Sequence, residues 1–156
     1  MAEFPNDVAV AIALGSNLGD RARNLREAAE RLTATISDLR LSSFHETEPV
    51  GVGPQPMFLN AAAVGKTSLT PEALLQELLS IETALGRERP RSGAPRTVDL
   101  DLILYDGAVM EGPSLTVPHP RFRERRFVLA PLAEVAADWI DPVSGRTVAA
   151  LLEALP

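Results

Sequence analysis

The segment 97–105, TVDLDLILY, most constrains the fold, because apolar and polar residues alternate along it with a period of two. This alternation predicts a half-buried strand whose apolar face packs on a core. The apolar side would carry Val98, Leu100, Leu102 and Leu104, and the polar side Thr97, Asp99 and Asp101. Asp99 and Asp101 are therefore expected to point together to the face opposite the core.

Two carboxylates on one face of a strand call for a partner. Residues two apart on a strand are separated by about 6–7 Å, and two negative charges at that distance repel by about 2–3 kcal/mol at an effective dielectric near 20. Strands also disfavour aspartate. A divalent cation with hard oxygen ligands, such as Mg²⁺, would turn the repulsion into attraction. With Arg96 just upstream, Asp99 and Asp101 predict a site that handles phosphate through metal.

Composition excludes several classes of protein. The 156 residues suit one domain, 1–156, and the net charge of −6 argues against a general nucleic-acid binder. The absence of cysteine excludes disulfides and thiolate chemistry. The N-terminal segment lacks the basic and long apolar parts of a signal peptide or membrane span, so a cytoplasmic location is expected. Eight of the 15 basic residues fall in 87–96 and 121–126, which suggests a local anion site.

The order of predicted elements gives the fold class. Strands are expected at 7–14, 38–47, 57–66 and 97–105, and amphipathic helices at 21–34, after Asp20, and from Thr70–Pro71 to Gly86. The order β-α-β-β-α-β predicts an α+β, ferredoxin-like antiparallel sheet with both helices on one face. C-terminal additions would include a strand at Leu115–Val117, a helix within 125–137 and one near 147–154. GSNLGD at 15–20 is interpreted as a structural turn, and 49–56 as a loop.

Several other residues are candidates for a ligand site. His119 lies between Pro118 and Pro120, which fix the backbone around it, although a surface histidine fits the same pattern. Asn60 is unfavourable in a strand, and its amide suits the edge of a flat heterocycle or a satisfied buried position. Phe58 shares its face, and Phe127 could supply a second ring. His45 is expected to be structural or exposed. Neither a Walker A loop nor a Rossmann glycine pattern is present.

Taken together, these segments resemble the 6-hydroxymethyl-7,8-dihydropterin pyrophosphokinase family of folate biosynthesis. The resemblance covers nearly the whole chain, and its motifs stand in the family's order. They are ALGSNLGD at 13–20, SSFHETEPVG at 42–51, FLNAA at 58–62, ALGRER at 84–89, PRTVDLDLILYD at 95–106, LTVPHPR at 115–121 and RRFVLAPL at 125–132. The chain departs from many relatives at 92–95, which lack a tryptophan, at Phe58, where tyrosine is common, and at Leu79, where some relatives are polar.

The resemblance implies pyrophosphate transfer from Mg-ATP to the hydroxymethyl oxygen of the pterin, with release of AMP. Asp99 and Asp101 match the ligands of two Mg²⁺ ions. The implied ATP contacts are Glu82, Arg87, Arg89, Arg96, His119 and Arg125, with Arg87 and Arg96 also catalytic alongside the two aspartates. The implied pterin contacts are Thr47, Val50, Phe58, Asn60, Asp99 and Phe127.

The expected partners are these two small molecules, with neither nucleic acid nor membrane, and the chain is expected to be a monomer. Two alternatives remain open at this point. A different two-metal nucleotidyl or phosphoryl transferase would use the same aspartate pair, and a non-enzymatic nucleotide-binding module would bind ATP without turnover.

Overall fold

A computed structural model describes residues 7–47, 57–86 and 97–156. The strands are β1 Val8–Ser16, β2 Ser37–Leu41, β3 His45–Thr47, β4 Phe58–Thr67, β5 Asp99–Tyr105, β6 Met110–Glu111 and β7 Thr116–Val117. The helices are α1 Arg21–Leu32, α2 Pro71–Ala84, α3 Arg126–Ala136 and α4 Val148–Glu153, with a 3₁₀ turn at Phe122–Glu124. No helix within these ranges is long and apolar enough to cross a bilayer.

The strands form an antiparallel sheet in the order β2-β4-β1-β5, and β3 also pairs with β4. The α+β class is therefore confirmed. A second, two-stranded sheet joins β7, near the expected strand at Leu115–Val117, to β6, which the sequence did not indicate.

The helix boundaries follow local sequence chemistry. The Asp20 side chain accepts a hydrogen bond from the Arg23 N–H at the start of α1, and the Thr70 hydroxyl accepts from the Ala73 N–H at the start of α2. Gly86 follows α2 with φ of +108°, a conformation that glycine adopts readily. The expected caps and the stop at Gly86 are confirmed.

Two apolar cores flank the sheet. Leucines of α1 and α2, among them Leu25 and Leu74, pack on one face with Ile12 and Leu100. Residues of α3 and α4 pack on the other face with Ala62. Both early helices therefore cover one face, and Asp99 and Asp101 lie on the face that α3 partly covers.

The strand expected over 38–47 is two strands. β2 pairs with the last part of β4 and β3 with its first part, with residues 42–44 between them. Ser42 maintains the connection across this break, because its N–H donates to the Ala62 carbonyl and its hydroxyl accepts from the Ala62 N–H. A side-chain oxygen thus takes the place of a ladder carbonyl, which alternation alone does not reveal.

The alternation along 97–105 is correct only as far as Leu102. In the pairing with β1, Leu102 faces Ile12 but Leu104 faces Ala11, so Ile103 is an extra residue at a β-bulge. Leu104 therefore belongs to the core of α3 and α4 rather than to the core that contains Leu100 and Leu102. The prediction that Leu104 shares their side was wrong, because a bulge reverses the alternation.

Candidate active site

A cavity of about 740 Å³ lies between the sheet and the first turns of α3. The sheet contributes residues of β1, β3, β4 and β5, and the other wall comes from the segment 121–130. The structure brings together in its lining seven of the residues singled out above: Thr47, Phe58, Asn60, Asp99, Asp101, Arg125 and Phe127.

One cross-strand row forms the floor of this cavity. In the register of the sheet His45 faces Asn60, Asn60 faces Gly15, and Gly15 faces Asp99. Residues directly opposite in antiparallel strands point to the same face, and neighbouring strands lie about 4.8 Å apart. Asn60 and Asp99 are therefore two strand spacings apart, about 10 Å, with only a glycine between them.

Gly15 leaves the middle of this row open. A Cβ built on Gly15 would lie 3.3 Å from Asn60 Oδ1 and 3.6 Å from Phe58 Cδ1. Glycine inside a strand weakens it but permits close approach to the backbone. The interpretation of GSNLGD as a structural turn overlooked Gly15, which lies in β1 and lines the cavity.

The amide of Asn60 has a defined orientation. Its Nδ2 donates to Thr47 Oγ1 at 2.7 Å, across the β3–β4 pair. This bond leaves Oδ1 on the side of Gly15, as the 3.3 Å distance shows. Asn60 is 6% exposed, so the cavity receives a hydrogen-bond acceptor with little freedom to rotate. Such an acceptor suits a ligand that presents an N–H at its edge.

The two aspartates lie on β5 on either side of Leu100. Asp99 is in the row of Asn60, and Asp101 faces Ala13 in the next row on the same face. Both carboxylates line the cavity, and both are partly exposed. The alternation predicted this placement correctly, since Leu100 packs on the opposite face.

Glu82 lies on the other side of the sheet. It is 3% exposed on α2, and its carboxylate accepts the Leu100 N–H at 2.7 Å. This contact joins α2 to the strand that carries Asp99 and Asp101. Glu82 is outside the cavity lining, and the assignment of Glu82 to the nucleotide stays a prediction.

The four arginines in the segment 121–126 divide into two groups. Arg121, Arg125 and Arg126 line the cavity, and the Arg125 guanidinium carbon lies 5.4 Å from the centre of the Phe127 ring. Arg123 instead donates two hydrogen bonds to Asp141, which is fully buried. Three of the four arginines therefore supply positive charge to the wall opposite the sheet.

His119 connects this wall to β5. Its backbone N–H donates to the Ile103 carbonyl at 3.0 Å, and its Nδ1 accepts the Arg121 backbone N–H at 3.2 Å. Burial, reinforced by the positive charges of Arg125 and Arg121, lowers the pKa of His119 below its ordinary value. His119 is half-buried and is not among the residues that line the cavity.

Four of the singled-out residues lie outside the described ranges: Val50, Arg87, Arg89 and Arg96. The segments expected to be the loops 49–56 and 87–96 lie there too.

His45 has a role that sequence reasoning did not detect. It lines the cavity, and its Nε2 lies 2.6 Å from Glu134 Oε2 on α3. The ion pair of the partly exposed His45 with Glu134 agrees with the expectation that His45 is structural or exposed, but the sequence did not indicate its place at the end of the row. No local pattern could reveal the contact, since Glu134 is 89 residues away.

The donor set suits a cation that substrate oxygens help to hold. Among the described residues, no group of three or more His, Cys, Asp or Glu side chains could hold a metal ion alone. Mg²⁺ typically takes one or two carboxylates, and phosphate and water oxygens complete its shell. Asp99 and Asp101 on one wall, facing three arginines on the other, fit that arrangement.

The model of the 7,8-dihydro-6-hydroxymethylpterin-pyrophosphokinase family matches residues 11–137. The chain belongs to this family. A 2-amino-4-hydroxy-6-hydroxymethyldihydropteridine pyrophosphokinase of Bacillus subtilis is 50% identical over 126 residues, which are 80% of this chain and 75% of that protein. The Synechocystis protein of the same name is 43% identical over 154 residues, 97% of this chain and 78% of that protein.

A solved structure of this family shares the fold. A Plasmodium falciparum HPPK-DHPS superposes with a TM-score of 0.76 at 13% identity, over 97% of this chain and 46% of that one. At this identity the likeness shows the fold alone. The chain spans less than half of that fused protein.

Proposed function

We propose that this chain transfers the pyrophosphoryl group of ATP to the hydroxymethyl oxygen of 6-hydroxymethyl-7,8-dihydropterin and releases AMP. The hydroxymethyl oxygen forms a bond to the β-phosphorus, and the bond between that phosphorus and the α–β bridging oxygen breaks. AMP leaves with that oxygen, and the hydroxyl proton is released to solvent. The observation that carries the proposal is the row Asn60–Gly15–Asp99, which places an amide and a carboxylate on one open floor.

The acceptor pocket follows from the floor. A flat pterin over Gly15 would present its edge to Asn60 Oδ1, whose orientation Thr47 sets. Phe58 and Phe127 line the cavity from the sheet and from α3, which suits two rings stacked on a heterocycle between them. Val50, by the family resemblance, would add a backbone contact at the same edge.

The reacting end of the acceptor would lie toward β5. A hydroxymethyl group that extends from the Asn60 side across Gly15 arrives beside Asp99 and Asp101. We assign these two carboxylates as ligands of two Mg²⁺ ions, which neutralise phosphate charge when bound. Asp99 and Asp101 would hold these ions beside the reacting oxygens, and positioning and charge stabilisation account for most phosphoryl-transfer catalysis.

The arginines would bind the triphosphate. Arg121 and Arg125, on the wall opposite the carboxylates, supply donors that match phosphate oxygens. His119 would also contact the triphosphate, and its Nδ1 holds Arg121 by accepting the Arg121 backbone N–H. Arg87, Arg89 and Arg96 are assigned to the phosphates and Glu82 to the nucleotide side on the family resemblance.

We also infer that the sheet is the ferredoxin-like β-α-β-β-α-β unit. The strand order supports this, because α1 connects β1 to β2 across β4, and α2 connects β4 to β5 across β1. Such crossovers put both helices on one face and leave the other face for the site.

The test is the identity of the products. With ATP, Mg²⁺ and the hydroxymethyl pterin, chromatography should detect AMP and pterin pyrophosphate in equal amounts. The matched control omits the pterin and should yield no AMP. Formation of ADP, or AMP formation independent of the pterin, would contradict the proposal and favour another nucleotide-using activity.

A further inference from the structure

The strand β3 is short for an element that carries ligand-binding groups. It has three residues, pairs with β4 within the described part of the chain, and presents His45 and Thr47 to the cavity. A short edge strand has few backbone hydrogen bonds to hold it, so its position depends on other contacts.

One carboxylate on α3 supplies three such contacts. Glu134 accepts the Ser43 N–H at 2.8 Å through Oε1 and the Ser43 hydroxyl at 2.8 Å through Oε2. Its Oε2 also lies 2.6 Å from His45 Nε2. Because Glu134 is the acceptor, His45 Nε2 carries the hydrogen. These contacts join the beginning of β3 to the last turn of α3.

The electrostatics keep Glu134 ionised. Burial acts to raise the pKa of Glu134, but hydrogen bonds from the Ser43 N–H, the Ser43 hydroxyl and His45 outweigh it, and the pKa lies below its ordinary value. The His45 and Glu134 side chains are 30% and 37% exposed. A single pair with that exposure contributes little to stability, so the three converging donors matter more than the ion pair alone.

The contacts connect the two walls of the cavity. On one side, His45 faces Asn60 in the sheet, and Thr47, two residues later, accepts the Asn60 amide N–H. On the other side, α3 begins at Arg126 and carries Phe127 into the cavity. Glu134 itself is outside the cavity lining.

We propose that Glu134 and His45 are positioning residues that set the separation between Phe127 and the Thr47–Asn60 pair, and thereby the fit of the pterin ring. The inference rests on the proposed function and deepens its acceptor pocket. The residues assigned to ATP lie on β5 and in the segment before α3: Asp99, Asp101, Arg121 and Arg125. Their positions do not depend on the contact between Glu134 and His45.

The test compares the two substrates in steady-state kinetics of the full chain. In Glu134→Ala the KM for the pterin should rise about tenfold or more, as expected when hydrogen bonds to a charged group are lost. The KM for ATP and the kcat should stay within about threefold of wild type. Glu134→Gln retains acceptor oxygen for Ser43 and should fall between wild type and Glu134→Ala.

Three further variants sharpen the result. Glu153→Gln, an exposed glutamate on α4, is the matched control and should leave both KM values unchanged. Ser43→Ala removes one donor from an exposed residue, so it tests the contact even if Glu134→Ala does not fold. Combining His45→Gln with Glu134→Gln should raise the pterin KM by less than the product of the two single effects, because each substitution weakens the same contact between His45 and Glu134.

Two outcomes would overturn the inference while the proposed function stands. In the first, wild type makes AMP but Glu134→Ala and Ser43→Ala leave the pterin KM within about twofold. In the second, the two KM values and kcat change together with the melting temperature, as for a merely structural residue. A wild type without pterin turnover would instead remove the proposed function and this inference with it.

Discussion

Gly15 illustrates how a residue without a side chain can define a binding site. It lies in β1 between Asn60 and Asp99, where any Cβ would stand in the cavity floor. Glycine in a strand interior gives up packing and increases the entropy lost on folding. Its presence there is explained by the flat ligand proposed to lie over it.

Gly15→Ala should therefore affect binding more than folding. The new methyl would meet Asn60 Oδ1 at 3.3 Å and Phe58 Cδ1 at 3.6 Å and would occupy the space under the ring. We expect the dissociation constant of the pterin to rise about tenfold or more, equivalent to at least about 1.4 kcal/mol. Fluorescence titration of the pterin measures this, and thermal unfolding checks the fold.

Gly107→Ala is the matched control, because nothing lies within 4 Å of a Cβ built there. It should leave pterin affinity unchanged. Equal effects of the two substitutions, or none from Gly15→Ala, would show that the floor does not contact the ring.

Single residues differed in how clearly the sequence predicted their place in the site. Asp99, Asp101 and Asn60 break a strand rule visibly, and the placement of the two aspartates on the cavity face followed from alternation. Glycine is also unfavourable inside a strand, but the turn that follows Gly15 offered a simpler explanation for its presence. The contact of His45 with Glu134 joins residues 89 apart, and no local pattern reports such a contact.

Among the elements, the 3₁₀ turn Phe122–Glu124 carries an ion pair with a buried aspartate. Arg123 in this turn donates two hydrogen bonds to Asp141, which also accepts the N–H groups of Val143 and Ser144. Arg121 and Arg125 flank the turn and line the cavity. The pair thus directs Arg123 inward and leaves its neighbours facing the site.

Asp141→Asn should destabilise the fold in a pH-dependent way. Burial alone would raise the pKa of Asp141, but hydrogen bonds from Arg123, Ser144 and Val143 hold it far below its ordinary value. Removing one partner of a buried pair costs about 3 kcal/mol when the other is partly exposed. We expect that loss in the free energy of unfolding at neutral pH, measured by urea denaturation.

The sign of the pH dependence follows from the depressed pKa. The folded state binds fewer protons than the unfolded state, so the contribution of Asp141 is complete above the ordinary value of 3.8 and disappears as pH falls through the folded pKa. The difference in free energy of unfolding between wild type and Asp141→Asn should be smaller near pH 3 than at neutral pH. The control is Asp138→Asn, a substitution of an exposed neighbour, which should leave the free energy of unfolding unchanged. A difference for Asp141→Asn that stays constant with pH would contradict the assignment.

Element order was more predictable than element detail. Capping residues and periodicity located α1, α2 and the first four long strand segments, because those signals are local. The break at 42–44 and the bulge at Ile103 escaped, since both depend on what the neighbouring strand offers. The role of Arg123 escaped as well, because its partner lies in the segment after α3.

At the scale of the whole molecule, the sheet separates two kinds of packing. The face under α1 and α2 is closed by apolar side chains, whereas the face under α3 is closed only in part and contains the cavity. Ligands bound there contact both the sheet and α3, so binding should couple to the stability of the whole domain.

A non-hydrolysable ATP analogue with Mg²⁺ should therefore raise the melting temperature. At a concentration about 100 times its dissociation constant the ligand adds about 2.7 kcal/mol, and a chain of this size shifts by about 2–4 °C per kcal/mol. We expect a shift of about 5–10 °C in thermal denaturation. Chelation of Mg²⁺ with EDTA should remove most of it.

Asp101→Asn provides the comparison for that experiment. It keeps the size of the side chain but weakens the proposed metal site, so the Mg²⁺-dependent part of the shift should disappear while the apo melting temperature stays similar. A full shift in this variant, or one insensitive to EDTA, would contradict the assignment of Asp99 and Asp101 to the metal.

The row His45–Asn60–Gly15–Asp99 has one more consequence. Each member stands on a different strand, so the span from the amide to the carboxylate is fixed by backbone hydrogen bonding in steps of about 4.8 Å. Side-chain substitutions can alter the chemistry and the reach at either end by a methylene or two, but the backbone positions of the two groups stay two strand spacings apart. A much longer acceptor would require a recognition group on another strand.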